Sequence, residues 1–341
     1  MKRIERIAAV VLVALLVPAA APAAGPPEVQ ALKAENAALR AEIAACQAQV
    51  QALQAQVQLL TAQADQLRAE LDRMRKQPPA PAPAAEPKLS ATLDIRVEKG
   101  DWGDAGPRDI QKVLLSAGGE LWKHFPGRKL APILVRRSTS GPITLYDRGP
   151  GGEYIVKLDV EGTYWCQFAY QFAHEFCHIL TNYTEKYSRK NKWFEESLAE
   201  AAAEYAVRQM GESWKTRPPY AHWKGFAAAL TRYADNLRGK KGEELSSGQT
   251  LAQWYALNEG LLRKDPYQRD RNRLVAHALL ALLEAEPARW QALGCLNLSA
   301  PDAGSTFGSY LAAWHNDTPA GHKPFAARVA GLFGIRLRSG E

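Results

Sequence analysis

The sequence has no apolar run long enough to cross a membrane comfortably. The longest, Ile7 to Val17, stops at eleven residues, where a spanning helix needs about 20. A membrane bundle is thereby excluded. Glycine and proline are both missing from residues 28–75, which removes the usual turn formers and leaves room for one unbroken helix. Cysteine is scarce, with four in 341 residues, and none lies close behind the apolar run, which argues against a lipoprotein anchor. Charge of one sign is in only mild excess: the formal net charge is +7. Lys and Arg are interleaved with acids and accompany no nucleic-acid-binding motif, so no nucleic-acid partner is expected.

What is present begins with a leader. A basic start (Lys2, Arg3, Arg6), the apolar run and the small-residue stretch Ala21-Pro22-Ala23 have the layout of a secretory signal peptide over residues 1–23. A secreted or periplasmic protein with no integral span after signal removal is expected. An uncleaved N-terminal anchor is the alternative.

Residues 26–76 read as a coiled coil. Val29, Asn36, Ile43, Val50, Val57, Ala64 and Leu71 recur at heptad position a, and Leu32, Leu39, Cys46, Leu53, Leu60, Leu67 and Met74 at d. β-Branched residues at several a positions, Leu at d and a single Asn at a predict a parallel homodimer through residues 28–75. A lone solvated helix is the alternative. Residues 77–88, QPPAPAPAAEPK, form a proline-rich spacer that excludes helix and separates the arm from the rest of the chain.

Residues 89–341 read as one α+β domain, with a small N-terminal mixed or antiparallel sheet followed by a mostly helical part. Thr92–Val97 and Ala131–Arg137 are strand candidates on either side of a helix over Arg108–Lys123. Ile143–Tyr146 and Tyr154–Leu158 suggest a hairpin across the Gly/Pro-rich turn Arg148–Gly152, and the chain after Thr163 has helical spacing.

The chemistry concentrates in His174-Glu175-Phe176-Cys177-His178. Residues four apart share a helix face, so both imidazoles can reach one cation. Glu175 stands about 100° round the helix, beside the ion, where a carboxylate can take a proton from water. One loop later, Trp193-Phe194-Glu195-Glu196-Ser197-Leu198-Ala199-Glu200 opens a second helix. Phe194, Leu198, Ala201 and Tyr205 are its expected core stripe, which turns Glu196, Ala199, Glu200 and Ala203 to another side. The alanines permit close approach, so Glu196 is the candidate third metal ligand and Glu200 a candidate acceptor for a ligand imidazole N–H. Two His and one carboxylate suit Zn2+ and leave a position open for water. An ordinary acidic helix face beside a histidine pair is the competing structural explanation.

HEFCH followed by WFEESLAE resembles the gluzincin zinc metallopeptidases, whose pattern is HExxH, a loop, and a W-x-x-E-G-x-A-like helix carrying the third ligand. The likeness covers about Tyr164–Tyr205. Seventeen residues separate His178 from Glu196, one fewer than in the aminopeptidase branch, and Ser197 replaces that branch's Gly. The resemblance implies a zincin-like catalytic core, Zn2+ held by His174, His178 and Glu196, Glu175 as general base, and a peptide or protein substrate. It also implies a substrate-binding edge strand, whose place Gly152–Asp159 occupies, and an oxyanion-steadying Tyr or His. Tyr267 is the candidate for that donor, with Tyr255, Tyr220 and His222 as rivals. A dimeric envelope scaffold that keeps the shape without useful turnover is the alternative to an enzyme.

Eleven helical residues would hold Cys166 and Cys177 about 16 Å apart, beyond disulfide reach. In an oxidising compartment an intradomain bridge would pair Cys166 with Cys295, and Cys46 could meet its twin across the arm.

Overall fold

The computed structural model describes residues 37–41, 43, 44, 47, 50, 51, 54, 57, 58, 61 and 65, and then 89–337 except 185–188, 239–243 and 300–304. The chain divides into two units, Met1–Pro81 and Ala82–Glu341. In the first unit every described residue is helical, and Leu39, Ile43, Val50 and Val57 are exposed. The signal peptide, Asn36, Cys46 and the 77–88 spacer lie outside the described residues. No helix among the described residues is long and apolar enough to cross a membrane.

The second unit is α+β, with a four-stranded mixed sheet in the order β1-β2-β4-β3. β1 (Ile95–Val97) leads into α1 (Pro107–Trp122), which starts with Pro107 in its first turn behind an extended Gly106, where proline's missing N–H is no loss. β2 (Ile133–Arg137) pairs in parallel with β1, placing Ile133 beside Ile95, and in parallel with β4 (Tyr154–Leu158), placing Ile133 beside Tyr154. β3 (Ile143–Thr144) turns back antiparallel to β4, with Thr144 opposite Val156. Their connection is the Gly/Pro-rich turn. Gly152 takes φ +78° there, a left-handed backbone that side chains disfavour. The strand expected over Thr92–Val97 begins only at Ile95.

Helices stack on this sheet in layers. α2 (Trp165–Leu180) packs on β4, β3 and α1. Phe168, Phe172, Phe176 and Ile179 bury its apolar side. α3 (Lys192–Ser213) packs on α2 and is surrounded further by α1, α4 (Ala227–Arg238) and α6 (Arg269–Ala285). Every residue of α3 from Trp193 to Val207 is buried. The single core stripe expected on this helix is therefore corrected: neighbours on all sides leave it no solvated face, and its glutamates are interior.

Of the remaining helices, α5 (Leu251–Lys264), α8 (Phe307–Asp317) and the end of α9 (Lys323–Leu332) close over the start of α3, while α7 (Trp290–Leu293) packs through Trp290 on Tyr205 further along it. Trp193 lies 4.7 Å from the Phe307 ring centre, 5.6 Å from Tyr255 and 5.8 Å from Phe333. This aromatic cluster fixes where α3 begins.

Phe307→Ala should cost about 3–5 kcal/mol by leaving a cavity in the cluster. Leu257→Ala, at a side chain 77% exposed, should change stability by less than about 0.5 kcal/mol. Guanidinium unfolding of the two variants checks the contrast.

Candidate metal centre

Burying α3 against α2 brings three donors together. His174 Nε2 lies 3.3 Å and His178 Nε2 3.8 Å from Glu196 Oε2, and one ligand atom from each residue falls within 4.8 Å of the others. Tetrahedral zinc with bonds of about 2.0–2.1 Å places its ligands about 3.3 Å apart. The donor set suits that ion in type and could hold it once its atoms, now within 4.8 Å of one another, draw in to that spacing.

Both imidazoles face a carboxylate on their far side. His178 Nδ1 is 2.8 Å from Glu195 Oε1, and Glu195 Oε2 accepts from Asn297 Nδ2 at 2.9 Å. Asn297 also donates to the Thr181 carbonyl at 3.0 Å and accepts from the Tyr310 hydroxyl at 2.8 Å. His174 Nδ1 faces Glu200 Oε1 at 4.0 Å. Tyr170 donates to Glu200, and Arg269 and Arg273 lie 3.9 Å from its oxygens. The Glu195 bond sets which His178 nitrogen points at the site.

Glu175 is buried beside the donors. The Thr144 hydroxyl, on edge strand β3, lies 2.9 Å from Glu175 Oε2 and 3.0 Å from its carbonyl. His174, Glu175, His178, Glu196 and Glu200 line a cleft of about 380 Å³, together with Thr144, Tyr146, Tyr183, Lys192 and Tyr267. Tyr267 stands at its rim, 59% exposed. The rival donors are elsewhere: Tyr255 is buried against Trp193 and Tyr220 stacks on His222, and none of the three lines the cleft.

Two expectations are corrected. Gly152–Asp159 does not supply an edge: β4 is paired on both sides, and the strand at the cleft is β3. Cys166, Cys177 and Cys295 are all free thiols. Asn182, just past the C-terminus of α2, donates to the carbonyls of Gly294 and Leu296, so Cys295 sits at the end of α2 opposite Cys166, about 24 Å of helix away.

Sequence reasoning missed Thr144, Tyr146, Lys192, Glu195 as a histidine partner, and Asn297. Only Glu195 left a signal, since the residue beside a ligand glutamate is placed to meet the second imidazole. Asn297 adopts φ +62°, the left-handed conformation that Asn tolerates better than most residues.

Burial opposes charge on His178, but Glu196 and Glu195 outweigh it and raise its pKa to about 9. Burial likewise opposes charge on Glu196, yet His178 and His174 bring it down to about 2. No family model, curated protein or solved structure matches the chain.

In the metal-free protein, the charged His178–Glu196 contact should stabilise fully between the ordinary values of 4.5 and 6.5. The contribution should fade as pH falls toward 2 or rises toward 9. Thermal melts across pH 3 to 10 check this sign. Metal uptake must displace the imidazole proton, so zinc affinity should rise between pH 6 and 9 in competition titrations. Asn297→Ala should weaken zinc binding by about 10–100-fold through Glu195.

Proposed function

We propose that this chain is a secreted or periplasmic zinc-dependent hydrolase, a peptidase of the gluzincin type. The observation that carries the reading is the donor triad His174, His178 and Glu196 at the floor of a cleft that also holds Glu175. A structural zinc site would usually fill its fourth position with Cys or His. Cys177 shares a helix with the two imidazoles but does not line the cleft.

Bound zinc supplies Lewis acidity toward water and toward a carbonyl oxygen. The protein supplies the rest. Glu175 accepts a proton from the attacking water and returns it to the leaving amine nitrogen. Thr144 holds one Glu175 oxygen, leaving the other for that proton. Among the described residues β3 has no strand partner on its outer side, so an extended substrate can add there through backbone hydrogen bonds. Tyr267, which lines the cleft and is exposed, is the residue we assign to donate its hydroxyl to the oxygen that gains charge in the transition state.

The arm belongs to the same proposal. Leu39, Ile43, Val50 and Val57 occupy heptad a and d positions and are exposed, leaving an apolar seam for a second copy to cover; the parallel orientation rests on the residue types at a and d.

Glu175→Gln should keep zinc and fold while lowering peptide turnover by at least ~10²-fold. Glu196→Ala should lose the metal. Stoichiometric zinc in a His174→Ala/His178→Ala double variant, by metal analysis, would put the site elsewhere. Non-reducing gels should show a Cys46-dependent dimer. Sedimentation should still find Cys46→Ser dimeric, because the seam holds the pair; a monomer at micromolar concentration with the arm intact would contradict the coil.

A further inference from the structure

Lys192 is a cationic residue of the cleft lining to which the proposed reaction gives no task. It opens α3 one turn before Glu196, so helical spacing sends both side chains to one face. Its ammonium lies 3.4 Å from the Tyr146 hydroxyl, 5.3 Å from the Tyr267 ring centre and 5.8 Å from that of Tyr146. Only 21% of the side chain is exposed. Two phenol rings thus restrain the long, mobile tail and keep its charge in the cleft. A side chain already held in place loses less freedom when a ligand arrives.

The acids around it are engaged elsewhere. Glu175 is bonded to Thr144, Glu195 to His178 and Asn297, and Glu200 to Tyr170 with two arginines alongside. Among the described residues, the carboxylate paired with Lys192 is Glu196 at 3.9 Å, outside hydrogen-bond reach and facing the imidazoles with its other oxygen. Glu196 as a metal ligand would be a weaker counter-charge still. Among the described residues, then, the ammonium is bonded to phenol oxygens and to no carboxylate, and it stays in the lining of the cleft.

We propose that Lys192 anchors a carboxylate of the substrate, so that the cleft selects peptides bearing an acid next to the cleaved bond. The inference rests on the peptidase reading. A side-chain acid and a C-terminal carboxylate present the same chemistry to a compact ammonium, and the experiment separates them. If Lys192 instead only steadies Glu196, its loss weakens zinc binding and leaves substrate preference alone.

The test uses the zinc-loaded full-length protein and three short peptide hydroxamates of one backbone: one with an aspartate side chain, one with a free C-terminus, one with amides at both places. Calorimetry gives their dissociation constants. One carboxylate probe should bind at least ~10-fold more tightly than the diamide, as a charge-assisted bond allows. The winning probe identifies the source of the acid. Lys192→Met should retain zinc and level the three affinities, while Lys192→Arg should keep a preference in the same direction. Equal binding of all three by the wild type, or an undiminished preference in Lys192→Met, overturns the assignment and leaves the metal site standing. If zinc is held but no hydroxamate binds, the peptidase reading fails and this inference with it.

Discussion

The cleft depends on one close approach, that of α3 to α2, which sets Glu196 Oε2 at 3.3 and 3.8 Å from two imidazoles. Small residues on the Glu196 side of α3, Ala199 and Ala203, are completely buried and allow the helices to meet. The aromatic cluster around Trp193 holds the start of α3 from the far side. A shift of one residue along α3 would turn Glu196 by about 100° away from the histidines.

That approach takes four carboxylates out of water on one helix: Glu195, Glu196, Glu200 and Glu204. Buried charge is tolerated only when paired and hydrogen-bonded, and each has its partners. Glu195 meets His178 and Asn297, Glu196 the two imidazoles, Glu200 Tyr170 with Arg269 and Arg273, and Glu204 Arg238 with His277. The spacing 196, 200, 204 aligns three of them along one face, from the cleft into the packing against α4 and α6. The donors are rigid because the interior around them is electrostatically closed.

Much of the centre was legible in the sequence because its chemistry lies in local spacing. His174 and His178 four apart, and Glu196 and Glu200 four apart on the next helix, need only helical periodicity to be placed. The strand-then-helix order likewise follows from the change of period after Thr163. What lay beyond reach depends on long-range contact. Asn297 meets Glu195 across 102 positions and Thr144 meets Glu175 across 31. The sheet order puts two-residue β3 at the edge, where the resemblance had pointed to β4, the strand just before the His helix in the chain. The Cys166–Cys295 bridge failed for the same reason: chain position does not say which end of α2 the α7 loop reaches.

The central claim is that the ion's protein ligands are two imidazoles and a carboxylate, with no sulfur. Zinc K-edge X-ray absorption on the loaded protein tests this most directly, because Cys177 shares α2 with both histidines. The account predicts a shell of nitrogen and oxygen alone at about 2.0–2.1 Å with the multiple scattering of two imidazoles. A sulfur scatterer at about 2.3 Å, or a spectrum unchanged in Glu196→Ala, would contradict it.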